Sequence, residues 1–274
     1  MSNASQPEIG TVVSLWRYPV KSMMGEELNA SEVTERGLLG DRAYALVDSS
    51  DGKAATAKNP RKWPRLFDFR ATFTQPVRPA AKVPPVRIAL PDGATVTSEQ
   101  GDLDQILSKA LDREVTFRAA SRGAVNAEEY WPDMEGLDHR DTVTDFTLPE
   151  GTFFDVAMVH LLTTATLDRL RELYPQGRFE VRRFRPNIVV QLASGGKGFA
   201  ENAWVGHTLA IGTARLNISG PCGRCVMTTL AQGDLPRDPG ILRAAAQHNQ
   251  VNVGVYAAVA RGGTIRRGDP VRME

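Results

Sequence analysis

"SGPCGRCVMTT", residues 219–229, holds both cysteines of a 274-residue chain, Cys222 and Cys225. Its context decides the fold class. A C-x-x-C pair that opens a helix after a strand belongs to a thioredoxin-like βαβ unit. Here "VMTTLAQGD" (226–234) follows Cys225 and does not start a helix. Upstream, "HTLAIGTARLNIS" (207–219) reads as a hairpin about Gly212. Downstream, "VNVGVYAAV" (251–259) reads as a further strand. The pair is therefore expected in a glycine- and proline-bounded turn inside β structure.

The same pattern continues outward. "GTVVSLWRY" (10–18), "RAYALVD" (42–48), "RLFDFRATF" (65–73), "VRIAL" (86–90) and "EVTFRAA" (114–120) are rich in β-branched or aromatic residues and bounded by turns. Asp92-Gly93 is a hairpin signal, and Gly268-Asp269 marks a turn near the C-terminus. Helices are few. "GDLDQILSKALD" (101–112) places Leu103, Ile106, Leu107, Ala110 and Leu111 on one face. "TTATLDRLRELY" (163–174) has Thr163 or Thr164 to cap its start and Pro175 after its end, and "DPGILRAAAQHN" (238–249) predicts a short helix. Between Ser121 and Gly151 the chain is polar, acidic and turn-rich, which predicts a linker or long surface loop, with Tyr130 and Trp131 packed on a neighbour. Strands outnumber helices. The expectation is a mainly β (α+β) protein: an N-terminal β-barrel-like domain over 8–120, then a β-barrel with peripheral helices over 121–274.

Composition narrows the function. Apolar residues make up 42% and charged residues 24% of the chain, with a net charge of +1. That is an ordinary globular balance, with no electrostatic grip on nucleic acid or an anionic membrane. No apolar run reaches the length of a membrane-spanning helix. "MSNASQPEIG" lacks the basic and apolar parts of a secretory signal, and its first half-dozen residues read as a disordered tail. Two cysteines make no disulfide framework, so a cytoplasmic setting is expected.

For the cysteines themselves several chemistries stay open. Structural zinc wants four ligands, and His139, His160, His207 and His248 are scattered. A redox couple lacks its helix, and two compact core residues would fit the turn as well. Gly220, Pro221 and Gly223 allow close backbone approach, and Arg224 favours a thiolate if its side chain folds back, which suits one thiolate ligand to a soft metal. Elsewhere, Lys21 in "YPVKSMMGEEL" (18–28) follows a strand and is either a solvated lysine or an anion contact. Asp41-Arg42 in "GLLGDRAYALVD" (37–48) reads as a turn with a local ion pair. In "RRFRPNIVV" (182–190), Arg185 and Asn187 stand before a buried strand, either as a basic strand edge or as a fork and an amide for an anionic heterocycle.

Taken in order, "YPVKSMMGEEL…GLLGDRAYALVD" resembles the N-terminal β-barrel of the MOSC (molybdenum cofactor sulfurase C-terminal) family. "FRPNIVV…FAENAWVGHTLAIG…PCGRCVMTT…IRRGDPV" resembles the MOSC domain itself, so the resemblance runs from Ile9 to Val271. Within that family the chain resembles the mitochondrial amidoxime-reducing component and its bacterial counterparts. The resemblance implies a molybdenum cofactor (Mo-molybdopterin) with Cys225 as its protein thiolate, metal ligand and catalytic residue, and Cys222 as a neighbour. It also implies cofactor contacts from Lys21, Lys58 of "TAK" (56–58), Thr163, Thr164, Thr166, Arg185, Asn187 and Arg224. The activity implied is reduction of N-hydroxylated small molecules (amidoximes, hydroxylamines, N-oxides) by oxygen-atom abstraction at molybdenum. The alternative is a non-catalytic cofactor carrier or sulfur-transfer module. Two cysteines cannot hold an iron–sulfur cluster, so a separate electron donor of ferredoxin, flavodoxin or cytochrome type is expected. Two departures touch the site: Lys58 stands where the family often has arginine, and "TTLAQGD" replaces the usual residues after the ligand cysteine.

Overall fold

The computed structural model describes residues 7–79, 83–121, 123–135, 139–193 and 195–274; the expected N-terminal tail over 1–6 lies outside them. Seven strands build the central barrel. They are β1 (Glu8–Arg17), β2 (Val159–Thr163), β3 (Ile188–Leu192), β4 (Thr208–Ile211), β5 (Ala214–Gly223), β6 (Asn252–Arg261) and β7 (Pro270–Met273). Around the barrel they run β3-β2-β6-β5-β4-β7-β1, and β1 pairs back onto β3 to close it. Inward-facing residues such as Val12, Leu15, Leu161, Ile188, Leu216 and Val255 fill the interior, as alternation across a closed sheet requires.

All barrel neighbours are antiparallel except β2 and β3, which are parallel. A parallel pair needs a crossover. Helix α2 (Thr164–Leu173) and the single turn α3 (Val181–Phe184) supply it. Thr163 caps α2 as expected, its side chain accepting from Thr166 N. Together with α4 (Gly240–Asn249), α2 covers one side of the barrel through Leu167, Leu170, Phe179, Phe184 and Ile241.

The first half builds its own core around Val20, Met23, Leu46, Trp63, Phe69 and Ile88. Strand Tyr44–Asp48 pairs with Val115–Ala119, and Arg70–Phe73, Val86–Ala89 and Thr95–Thr97 form a meander turning at Gly93. Helix α1 (Leu103–Leu111) buries Leu103 and Leu107 against it. The halves exchange strands. β1, expected in the N-terminal domain (8–120), is a stave of the second barrel, while Gly263–Arg266 pairs with Ala30–Thr34 in the first half.

Three expectations are corrected. The strand over 65–73 is broken: Leu66–Asp68 is a 3-10 turn and only Arg70–Phe73 is extended. The turn brings Leu66, Phe67 and Phe69 into one core. The loop over 121–151 contains a hairpin, Asn126–Trp131 against Thr142–Thr147. Its acidic residues meet lysines, Glu128 and Asp145 on Lys53 (2.9 and 2.7 Å) and Glu129 on Lys58 (3.2 Å). The cysteine turn is the bulged end of β5, whose register against β6 shifts between Ile218 and Gly220 and again between Pro221 and Gly223. Among the described residues no helix is long and apolar enough to cross a membrane.

Candidate functional site

At one end of the barrel, β1 gives way to Tyr18-Pro19-Val20, and Lys21 N donates to Tyr44 O (2.8 Å). This delivers Lys21 to a cleft between the barrel and the first half. Its Nζ donates to Phe153 O (3.1 Å) and pairs with Asp155. Ser22 adopts a left-handed backbone (φ +61°), and its Oγ accepts from Ala57 N (3.1 Å). That bond joins the Lys21 loop to the segment carrying Lys58. Lys58 Nζ lies 3.2 Å from Glu129, 3.8 Å from Asp155 and 4.8 Å above the Phe146 ring.

Arg185 ends α3 in a left-handed conformation (φ +52°). Its guanidinium donates to Met23 O (2.7 Å) and stacks 4.1 Å from the Tyr18 ring. Burial first, then the Arg42 charge, lowers its pKa to about 10, so it stays cationic at neutral pH. Asn187 also faces the cleft, but its amide is already engaged: Oδ1 accepts from His160 N (3.1 Å), and Nδ2 donates to Asp41 Oδ2 (2.9 Å). Asp41 is a hub, since Oδ1 also accepts from Tyr18 N (2.7 Å) while the carboxylate pairs with Arg42. The local ion pair read from the sequence is present, and it braces β1 to β3 as well.

Cys222 is fully buried in β5, whereas Cys225 lies just beyond it, partly exposed, at the start of the 3-10 turn Val226–Thr229. Arg224 does fold back, but onto Cys222: Nη1 donates to Sγ (2.6 Å) and Nη2 to Phe184 O (2.9 Å). Burial pushes the Cys225 thiol up to about 11, against the pull of Lys58. Burial also opposes charge on Lys58, yet Asp155, Cys225 and Glu129 outweigh it and hold its pKa above the usual lysine value. Lys21, by contrast, is lowered by burial despite Asp155.

Lys21, Lys58, Arg185, Asn187, Arg224 and Cys225 thus come together in one cleft. The three threonines do not. Thr163 and Thr166 are fully buried and both donate to Glu201 Oε2 (2.7 Å each), and Thr164 lies at a groove with Gly196 and Lys197. Their hydroxyls cap α2 and hold a buried carboxyl. Asp155 and Tyr256 line the cleft and were not singled out from sequence, where Arg42 was read only as half of a local ion pair and His160 only as one of four scattered histidines. The cleft lining therefore holds five cationic side chains and one carboxylate, Asp155, which pairs with Lys21 and Lys58, and Arg224 Nε is buried without a partner among the described residues. Such a cleft suits a polyanionic ligand bearing a planar group with hydrogen-bond acceptors, and a soft metal would find its sulfur at Cys225.

Comparison with known proteins matches residues 9–129 to the MOSC N-terminal beta barrel domain and residues 150–272 to the MOSC domain. Mitochondrial amidoxime-reducing component 1 of Mus musculus is 27% identical over 298 residues, covering 96% of this chain and 82% of that protein. Mitochondrial amidoxime reducing component 2 of Rattus norvegicus is 27% identical over 303 residues, covering 96% and 83%. Molybdenum cofactor sulfurase of Oryza sativa subsp. japonica is 26% identical over 261 residues, covering 85% of this chain and 30% of that protein.

Proposed function

The chain belongs to the MOSC family, and on that premise we propose that its cleft holds the molybdenum cofactor and that the protein is an oxidoreductase acting on N-hydroxylated compounds such as amidoximes, hydroxylamines and N-oxides. The observation that carries the reading is that Lys21, Arg42, Lys58, Arg185 and Arg224 line one cleft with Cys225, Asp155 being the carboxylate of that lining while Asp41 and Glu129 pair with Arg42 and Lys58 from outside it. When bound, the cofactor supplies two-electron redox chemistry suited to N–O cleavage. The protein's part is to bind and orient. Lys21, Lys58 and Arg42 would present cations to the phosphate, and Arg185 and Arg224, whose Nη atoms already meet Met23 O, Cys222 Sγ and Phe184 O, would add charge and their remaining N–H donors. Cys225 offers Sγ to the metal. Burial holds its thiol above the ordinary value, and Lys58 beside it would favour the thiolate that a bound metal would need. Phe153 and Phe154 give the cleft an apolar wall that limits water.

In this proposal the electrons come from a separate protein of ferredoxin, flavodoxin or cytochrome type. The similarity to a molybdenum cofactor sulfurase supports a second reading, a cofactor carrier or sulfur-transfer module. The test is turnover of an amidoxime by cofactor-loaded protein with a chemical reductant. The enzyme reading expects amidine formation in the wild type and none in Cys225→Ala. Full cofactor loading without any turnover overturns it in favour of the carrier.

A further inference from the structure

Cys222 lies three positions before Cys225, fully buried, and the proposed ligand set does not use it. Its sulfur nevertheless has a defined partner. Arg224 Nη1 donates to Cys222 Sγ at 2.6 Å, and the other arm of the same guanidinium donates to Phe184 O at 2.9 Å. Phe184 is the last residue of α3, and Arg185 follows it. One planar group therefore ties the strand that leads to Cys225 to the turn that carries Arg185. Two more polar side chains face the sulfur, His160 from β2 and Tyr256 from β6.

A neutral thiol is a weak acceptor, and a buried guanidinium aimed at the sulfur calls for a charged one. Burial alone would raise the Cys222 pKa. The Arg224 charge, then His160, then hydrogen bonds from His160 and Tyr256 outweigh burial and bring it below the ordinary thiol value. The Arg224 planar fork lets one side chain meet sulfur and carbonyl together in a fixed geometry.

We propose that Cys222 is a positioning residue, an ionised sulfur that holds the Arg224 guanidinium between β5 and α3 and so fixes Arg224 and Arg185 as a pair. The purpose of that pair rests on the molybdenum-cofactor reading, but the ion pair itself does not.

The experiment uses unliganded full-length protein and follows ultraviolet thiolate absorbance against pH, with circular dichroism recording that the fold persists. In Cys225→Ala only Cys222 remains. Its midpoint is expected at least one pH unit below the free-cysteine value of about 8.5, and Arg224→Met added to that protein raises the midpoint by at least one unit. Should Cys225→Ala fail to fold, the difference between wild type and Cys222→Ala isolates the same signal. A midpoint at or above about 8.5, or one unmoved by Arg224→Met, overturns the proposal. In a cofactor-competent host, Cys222→Ala and the equally small but uncharged Cys222→Ser are both expected to lose most of the pterin retained by wild type. Full retention in Cys222→Ser would show that charge is not needed and overturns it too. Wild type that binds no pterin while the thiolate titrates as stated defeats the cofactor reading alone.

Discussion

Asp41→Ala should destabilise the protein far more than an ordinary ion-pair deletion. The Asp41 side chain is fully buried, and it accepts from Tyr18 N at 2.7 Å and Asn187 Nδ2 at 2.9 Å while pairing with Arg42, itself mostly buried. Removing the carboxylate strands two buried donors, each costing about 1–3 kcal/mol, and leaves a buried cation without its partner, a loss of about 3–5 kcal/mol where measured. These contributions overlap, so the expected total is about 3–5 kcal/mol rather than their sum. At roughly 2–4 °C per kcal/mol for a chain of this size, the melting temperature falls by roughly 6–20 °C. Asp41→Asn keeps an acceptor for Tyr18 N but turns an amide donor toward Asn187 and Arg42, and loses about 2 kcal/mol. The assay is urea unfolding followed by tryptophan fluorescence, with the slope checked for constancy. Asn187→Ala measured alone and with Asp41→Ala should show a coupling of at least about 0.5 kcal/mol. A loss below about 1 kcal/mol for Asp41→Ala, the range of exposed pairs, would refute the view that this hub joins β1 to β3.

Thr163→Val removes the cap of α2 and a donor to Glu201; urea unfolding should show a loss of about 1–2 kcal/mol, while cofactor content stays at the wild-type level. A stable variant that loses its cofactor would return Thr163 to the binding site. Gly254→Ala places a Cβ 2.3 Å from His160 Nε2 and 2.4 Å from Leu161 O at a backbone φ of +83°. It should cost at least about 2 kcal/mol, and a neutral result would contradict the close approach of β6 to β2. Burial would raise the Asp155 pKa, but Lys21 and Lys58 outweigh it and hold the carboxyl well below its ordinary value. A carboxyl depressed in this way adds stability above its unfolded pKa of about 4, lost as pH falls through the folded value. Wild type should therefore lose stability in acid more steeply than Asp155→Asn, and equal acid slopes would speak against the Asp155 ion pairs.

The parts of the fold visible in the sequence are those set by neighbours in the chain. The hairpin about Gly212, the Asp92-Gly93 turn and the cap of α2 at Thr163 each follow from local backbone preference. The hairpin at Asn126–Trp131 is invisible to apolar alternation because its glutamates are matched to lysines some seventy positions away, as in Lys53–Glu128. Likewise nothing in "GTVVSLWRY" says that β1 closes a barrel whose other staves come from the second half. At the site, Lys21, Arg185 and Cys225 were legible through motif order, and each residue alone carried a bland alternative. Asp155 and Tyr256 were not legible, because they join the cleft only through tertiary packing. The threonines lie away from the cleft: a Ser/Thr position at a helix start is equally good as a cap, and Glu201 has engaged two of them.

The central claim is that Cys225 in this cationic cleft holds a molybdenum cofactor, and metal and pterin content per chain tests it most directly. Protein purified from a cofactor-competent host should carry near-stoichiometric molybdenum and pterin in the wild type, with molybdenum lost or labile in Cys225→Ala. Wild type with neither molybdenum nor pterin, or Cys225→Ala that retains its molybdenum as firmly as wild type, would contradict it.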